Sequence, residues 1–196
     1  MFLSAAFNEV HGMKVCKFGG SSLADAKQLT KVIDIVLADP QRRMVVVSAP
    51  GKRNKADTKV TDLLIALAQA ALDKADTKAP LAAVVARYAQ MAKDLDLGTD
   101  IVKEIEDDLK ARLATSKKDA GLFMDTLKAA GEDNSAKLAA VAFRKRGVKA
   151  RYASPKETGM VLEGESGNAT LVEESYRKLA RAFADFEGIV VYPGFF

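Results

Sequence analysis

The chain has 196 residues, 48% of them hydrophobic, which is enough to build the core of one domain and argues against disorder. Thirty Lys and Arg against 26 Asp and Glu leave a net charge of +4, too thin a surplus to point to nucleic acid. One Cys, one His and no Trp exclude a disulfide framework, a zinc finger, a His/Cys metal cluster and an aromatic platform for single strands; no apolar run reaches the ~18 residues of a membrane-spanning helix.

Residues 1–12 (MFLSAAFNEVHG) have no basic n-region, and Asn8 and Glu9 break their apolar run. They are read as a leader or alternative start before Met13 rather than a secretory signal, which points to a cytoplasmic protein. The only His, His11, falls in this leader, and Cys16 is read as a small buried hydrophobe. Met13–Phe18 predicts a first strand that ends at Gly19-Gly20. Ser22-Leu23-Ala24-Asp25 fits a capping box, and Leu29, Val32, Ile33, Val36 and Leu37 follow at helical spacing until Asp39-Pro40. Met44–Val47 is a continuous apolar run, as in a buried parallel strand. The first 48 residues therefore read as a βαβ unit, for which a right-handed crossover is expected.

Ala49-Pro50-Gly51 opens a basic loop through Lys59, and Val60, Leu63, Leu64, Leu67, Ala71 and Leu72 then mark a helix. Two further amphipathic segments carry Leu81, Val84, Val85, Tyr88 and Leu95, and Ile101, Val102, Ile105, Leu109 and Leu113. Residues 121–146 read as helix interrupted at Gly131 and stopped by Gly147. Strands are predicted over Val148–Tyr152, Met160–Leu162 and Ile189–Tyr192, with a helix over Glu173–Phe186. Strands alternate with helices at both ends around a helical insertion, so the class is α/β with a mostly parallel sheet. The apolar turn Gly194-Phe195-Phe196 reads as a domain cut short.

In an open parallel sheet, ligands bind at the carboxyl ends of the strands, which is where Lys17-Phe18-Gly19-Gly20-Ser21-Ser22 falls. Glycines allow the backbone close to a phosphate, a helix amino terminus offers N–H groups, and Lys17 adds a cation. The same residues would equally make a tight turn beside a solvated lysine, and their physics alone does not choose. The basic stretch Lys52–Lys59 reads as a solvated loop rather than a steering patch. There is no G-x-x-x-x-G-K-[ST] and no G-x-G-x-x-G, and Gly164-Glu165-Ser166-Gly167 is one residue short of a nucleophile elbow.

Lys17-Phe18-Gly19-Gly20-Ser21-Ser22 resembles the KFGG[TS]S signature of aspartokinases. Ser48-Ala49-Pro50-Gly51 with Val60-Thr61-Asp62-Leu63-Leu64 resembles their second segment. Gly131-Glu132-Asp133-Asn134-Ser135-Ala136-Lys137-Leu138 resembles their third, a G-E segment opening a helix. Val190–Phe196 is similar to the strand and G-F turn that follows.

The resemblance implies the amino-acid-kinase fold, a three-layer αβα sandwich, with residues 13–196 as the amino-terminal part of the catalytic domain. It implies ATP-dependent phosphorylation of the L-aspartate side-chain carboxylate, with ATP and Mg²⁺ as cofactors and no protein metal ligands in this chain. Lys17 would be catalytic. Lys17, Phe18, Gly19, Gly20, Ser21 and Ser48 would hold the nucleotide. Ser48, Thr61 and Glu132 would hold substrate, Glu132 through the α-ammonium group. No nucleic-acid or membrane partner is implied, and the full-length enzyme would be a homo-oligomer.

A Gly-Gly-Ser-Asp segment and the regulatory ACT domains of the family would lie beyond residue 196, so the chain by itself is expected to be inactive. The arginine that many members carry near Glu163–Ala169 has no counterpart here. Two competing readings are a related kinase acting on another acid or on UMP, and a noncatalytic binding or assembly module of the same fold.

Overall fold

The computed structural model describes residues 13–164, 169–184 and 186–195. The leader with His11, the Glu165–Asn168 stretch and Phe196 lie outside the described residues. Strands β1 (Lys14–Phe18), β2 (Arg42–Val47), β3 (Ala150–Tyr152) and β6 (Ile189–Pro193) form a parallel sheet in the order β1-β2-β6-β3. Strands β4 (Leu162–Glu163) and β5 (Thr170–Leu171) pair antiparallel in a separate ribbon. The strand expected at Met160–Leu162 is thus shifted toward Glu163, and its short partner β5 carried no sequence signal.

Alternation along β2 and β6 separates the two faces of the sheet. Val45, Val47, Ile189 and Val191 enter the main core with the apolar stripes of α1 (Ala26–Leu37), α2 (Val60–Leu72) and α5 (Ala120–Lys145). Met44, Val190 and Tyr192 face the other way and meet Leu179, Phe183 and Phe186, the first two on α6 (Glu173–Phe183). Helices, sheet and helix make three layers, as expected. The insertion is α3 (Lys78–Asp94) and α4 (Asp100–Leu113), which pack on α2 and α5.

Two local expectations are corrected. The cap of α1 is Asp25, whose side chain accepts from the Gln28 N–H at 2.8 Å, and Ser22 lies within a 3-10 turn over Gly20–Leu23. Aspartate caps as well as serine does, and the tight turn leaves Ser22 too early in the chain to reach the helix. Helix α5 runs through Gly131 without interruption. A Cβ there would sit 2.9 Å from Ala49 Cβ and 3.0 Å from Leu64 Cδ1, so the glycine admits close packing rather than ending the helix.

A polar network ties α4, α5 and β3 together. Asp108 accepts from Arg112 at 2.8 Å, Asn134 at 3.0 Å and Lys137 at 3.2 Å, and Arg112 also donates to Asp133 at 2.7 Å. The Tyr152 hydroxyl donates to Asp133. Burial alone would raise the Asp108 carboxyl, but Arg112, Lys137 and Asn134 outweigh it and hold it below the usual value of 3.8.

Candidate active site

The β1 and β2 registers bring Phe18 beside Val47, and Val47 beside Pro193. Residues 19, 48 and 194 therefore leave three adjacent strand ends together. The Ser48 N–H donates to the Phe18 carbonyl at 3.1 Å, and the Gly194 N–H to the Val47 carbonyl at 3.0 Å. β6, far from β2 in sequence, pairs with it in the sheet, and ligands of open parallel sheets bind at such carboxyl ends.

Glu132 reaches this place from α5. Its half-buried carboxyl faces the backbone amides of Ala49 and Gly194 and the Ser48 side chain, with the Lys17 charge nearby. Burial pushes its pKa above the usual 4.5, and these four neighbours oppose the shift. A Cβ on Gly194 would fall 2.9 Å from Glu132 Oε2, so the glycine lets the strand end approach the acid. A desolvated anion beside an exposed cation is suited to a ligand that carries both charges.

The two glycines of the first turn differ in role. Gly19 has nothing within 4 Å of the position a Cβ would take, which leaves room for a ligand. Gly20 is pressed against the 49–51 loop: a Cβ there would meet the Ala49 carbonyl oxygen at 2.9 Å. One on Gly51 would meet the Gly20 carbonyl at 2.7 Å, and the Gly51 N–H donates to that carbonyl at 2.8 Å.

The structure brings Lys17, Ser48 and Glu132 together, with the exposed Gly19 and Ser21 alongside. Phe18 directs its side chain into the main core and offers the site its backbone alone. Thr61 is half-buried in the first turn of α2, which the Val60 N–H ties to the Pro50 carbonyl at 3.0 Å. The α1 amino terminus, an expected source of phosphate-binding amides, starts at Ala26 and is closed by Asp25. Sequence reasoning missed Arg87, whose buried guanidinium holds the loop after Ser48. A lone arginine on an amphipathic helix gives no signal that sets it apart from a surface one.

Fold and site together define an α/β protein whose candidate site lies at the carboxyl ends of a parallel sheet, the place where such folds bind ligands. The chain belongs to the amino acid kinase family, whose model matches residues 12–196. It is 50% identical over 184 residues to Aspartokinase 3 of Bacillus subtilis, covering 94% of this chain and 40% of that protein. It is 28% identical over 179 residues to the chloroplastic Aspartokinase 1 of Arabidopsis thaliana, covering 87% and 30%.

Among solved structures, E. coli aspartokinase III in complex with lysine and aspartate superposes with a TM-score of 0.73 at 25% identity, over 92% of this chain and 40% of that one. The same enzyme in complex with aspartate and ADP gives 0.71 at 25% identity, over 93% and 40%. The resemblance read from the four motifs is thereby borne out. The chain spans less than half the length of each of these relatives.

Proposed function

We propose that this chain carries the substrate side of an aspartokinase, which transfers a phosphoryl group from ATP to the side-chain carboxylate of L-aspartate and gives 4-phospho-L-aspartate. That product opens the route to lysine, threonine and methionine. The observation that carries the reading is the convergence of Glu132, Ser48 and Lys17 at adjoining strand ends. L-aspartate matches it: the α-ammonium group would relieve the buried Glu132 charge, while the side-chain carboxylate is already an anion and needs no general base. The relatives' structures with aspartate and with ADP support the same ligand classes.

In this reading Lys17 faces the charge that builds up between the carboxylate and the transferring phosphoryl group. Gly19, Gly20 and Ser21 cradle phosphate through the backbone, and Gly19 has the open space for it. Ser48 and Thr61 line the substrate side. When bound, ATP would supply the phosphoryl group and Mg²⁺ would offset its charge. Among the described residues no three Asp, Glu, His or Cys gather as a metal-ligand group, so no step is assigned to a metal held by these side chains. A cytoplasmic location and a homo-oligomeric enzyme belong to the same proposal; among the described residues no helix is long and apolar enough to cross a membrane.

The test is calorimetric titration of the chain with L-aspartate, L-glutamate and UMP. L-aspartate is expected to bind, with the other two at least about tenfold weaker. A preference for L-glutamate or UMP would replace this reading with a kinase of another acid or of UMP.

A further inference from the structure

Helix α3 contributes none of the residues assigned to the site above, yet two adjacent side chains leave it for the site's two supports. Arg87 is 6% exposed. Its Nη1 donates to the Thr58 carbonyl at 2.5 Å and lies 3.2 Å from Asp57 Oδ2. Its Nη2 donates to the Gly51 carbonyl at 2.8 Å and the Ala24 carbonyl at 3.3 Å. One guanidinium thus joins the end of the glycine turn to both ends of the loop that leads from Ser48 to Thr61. Arg53 closes the same loop: its Nε and Nη2 reach the Asp57 carboxylate at 2.8 Å each. Gly51 passes the constraint on, since its N–H bonds Gly20 across a contact too close for a side chain on either residue.

Tyr88 is 1% exposed, and its hydroxyl donates to the Gly131 carbonyl at 2.7 Å. Gly131 is the residue before Glu132, and a helix carbonyl that takes a second donor is fixed from outside its own helix. A filler of this space would need no polar atoms, because an apolar side chain of similar volume avoids the cost of desolvating a charge. What the guanidinium adds is direction: a rigid fork that matches several carbonyls at once.

We infer that Arg87 and Tyr88 are positioning residues for the site, Arg87 for the glycine turn and the 51–58 loop and Tyr88 for the turn of α5 that presents Glu132. Their service to catalysis rests on the aspartokinase reading; their hold on the two supports does not.

The experiment compares the chain with its Arg87→Lys and Tyr88→Phe variants. It uses native-state amide exchange, carboxyl NMR titration of Glu132, and L-aspartate affinity. In Arg87→Lys, exchange at residues 20–24 and 50–60 is expected to speed up by about tenfold or more while Val45 and Val191 in the sheet keep their protection. In Tyr88→Phe the same local change is expected at 131–136, with the Glu132 titration displaced from its position in the unsubstituted chain. L-aspartate affinity should fall in both by about tenfold.

Exchange that is unchanged at these segments, or raised equally in the sheet, would overturn the inference and leave both residues as general stabilisers. Tyr88→Phe removes one oxygen and keeps the ring, so it decides the α5 half by itself; if Arg87→Lys does not fold, Arg87→Gln decides the loop half by the same exchange measurement. Failure of the unsubstituted chain to bind L-aspartate would count against the proposed function alone, because exchange and the Glu132 titration still judge the positioning.

Discussion

The Glu132 carboxyl faces the Ala49 and Gly194 backbone, and burial raises its pKa above 4.5. The folded state therefore favours its protonated form. The cost of ionising it is absent at low pH, grows as pH rises through 4.5, and is complete above the folded value. Glu132→Gln is expected to leave the Tm at pH 7 unchanged or higher while L-aspartate affinity falls about a hundredfold, near 3 kcal/mol for breaking a charged pair. Calorimetry and a melting curve check both halves; a lower Tm with intact binding would contradict the assignment.

Lys17 makes the opposite case. It is exposed, so Lys17→Ala should change stability by no more than about 0.5 kcal/mol, yet lower kcat of the whole enzyme by about 100-fold or more. Trapping the acyl phosphate with hydroxylamine measures it. Lys17 stood out locally as a lysine beside a double glycine at a strand end, whereas Glu132 was singled out only by the resemblance of its G-E segment to the aspartokinases. Arg87 was not legible, because what distinguishes it is the three carbonyls around it, which lie 29 to 63 residues away in sequence.

At the scale of elements, helix propensity and packing disagree about Gly131. In isolation, alanine would stabilise a helix interior by ~1 kcal/mol over glycine. Here its Cβ would stand 2.9 Å from Ala49 Cβ, an atom that cannot yield without its own backbone. Overpacking of this kind costs about 1–3 kcal/mol, so Gly131→Ala is expected to destabilise, and chemical denaturation gives the sign. The substitution would also shift Ala49, whose backbone faces Glu132, so binding should weaken with stability. The same conflict explains the misplaced helix break: a glycine in a helical pattern reads as a stop when the surface it packs against is unknown. Most other elements were visible, since α1 and α2 repeat their apolar residues at helical spacing and β2 and β6 are continuous apolar runs.

For the whole molecule, the pH dependence of stability on the acid side is set by carboxylates that cations hold low. Asp108 is one of these, within the network that joins α4, α5 and β3. Its folded pKa lies below 3.8, so its contribution is complete above that value and is lost as pH falls through the folded one. Asp108→Asn should cost about 2 kcal/mol at pH 7, a value reduced for its partial exposure, and should flatten the fall of Tm below pH 4. Thermal melts from pH 7 to pH 3 of both proteins check the sign; parallel curves would remove Asp108 from the acid response.

The sequence by itself determined the α/β class, most of the helices and strands, the glycine turn at the first strand end, and four motifs in order. These are carried by periodicity and by short runs of residues, and they survive without knowledge of any distant neighbour. Only the tertiary structure decided that β6 enters the sheet beside β2, that α5 continues through Gly131 to set Glu132 under Gly194, and that α3 holds both supports of the site. Each of these depends on contacts between segments far apart in the chain, where the outcome is fixed by which surfaces fit and which buried polar groups find partners. No local pattern encodes that.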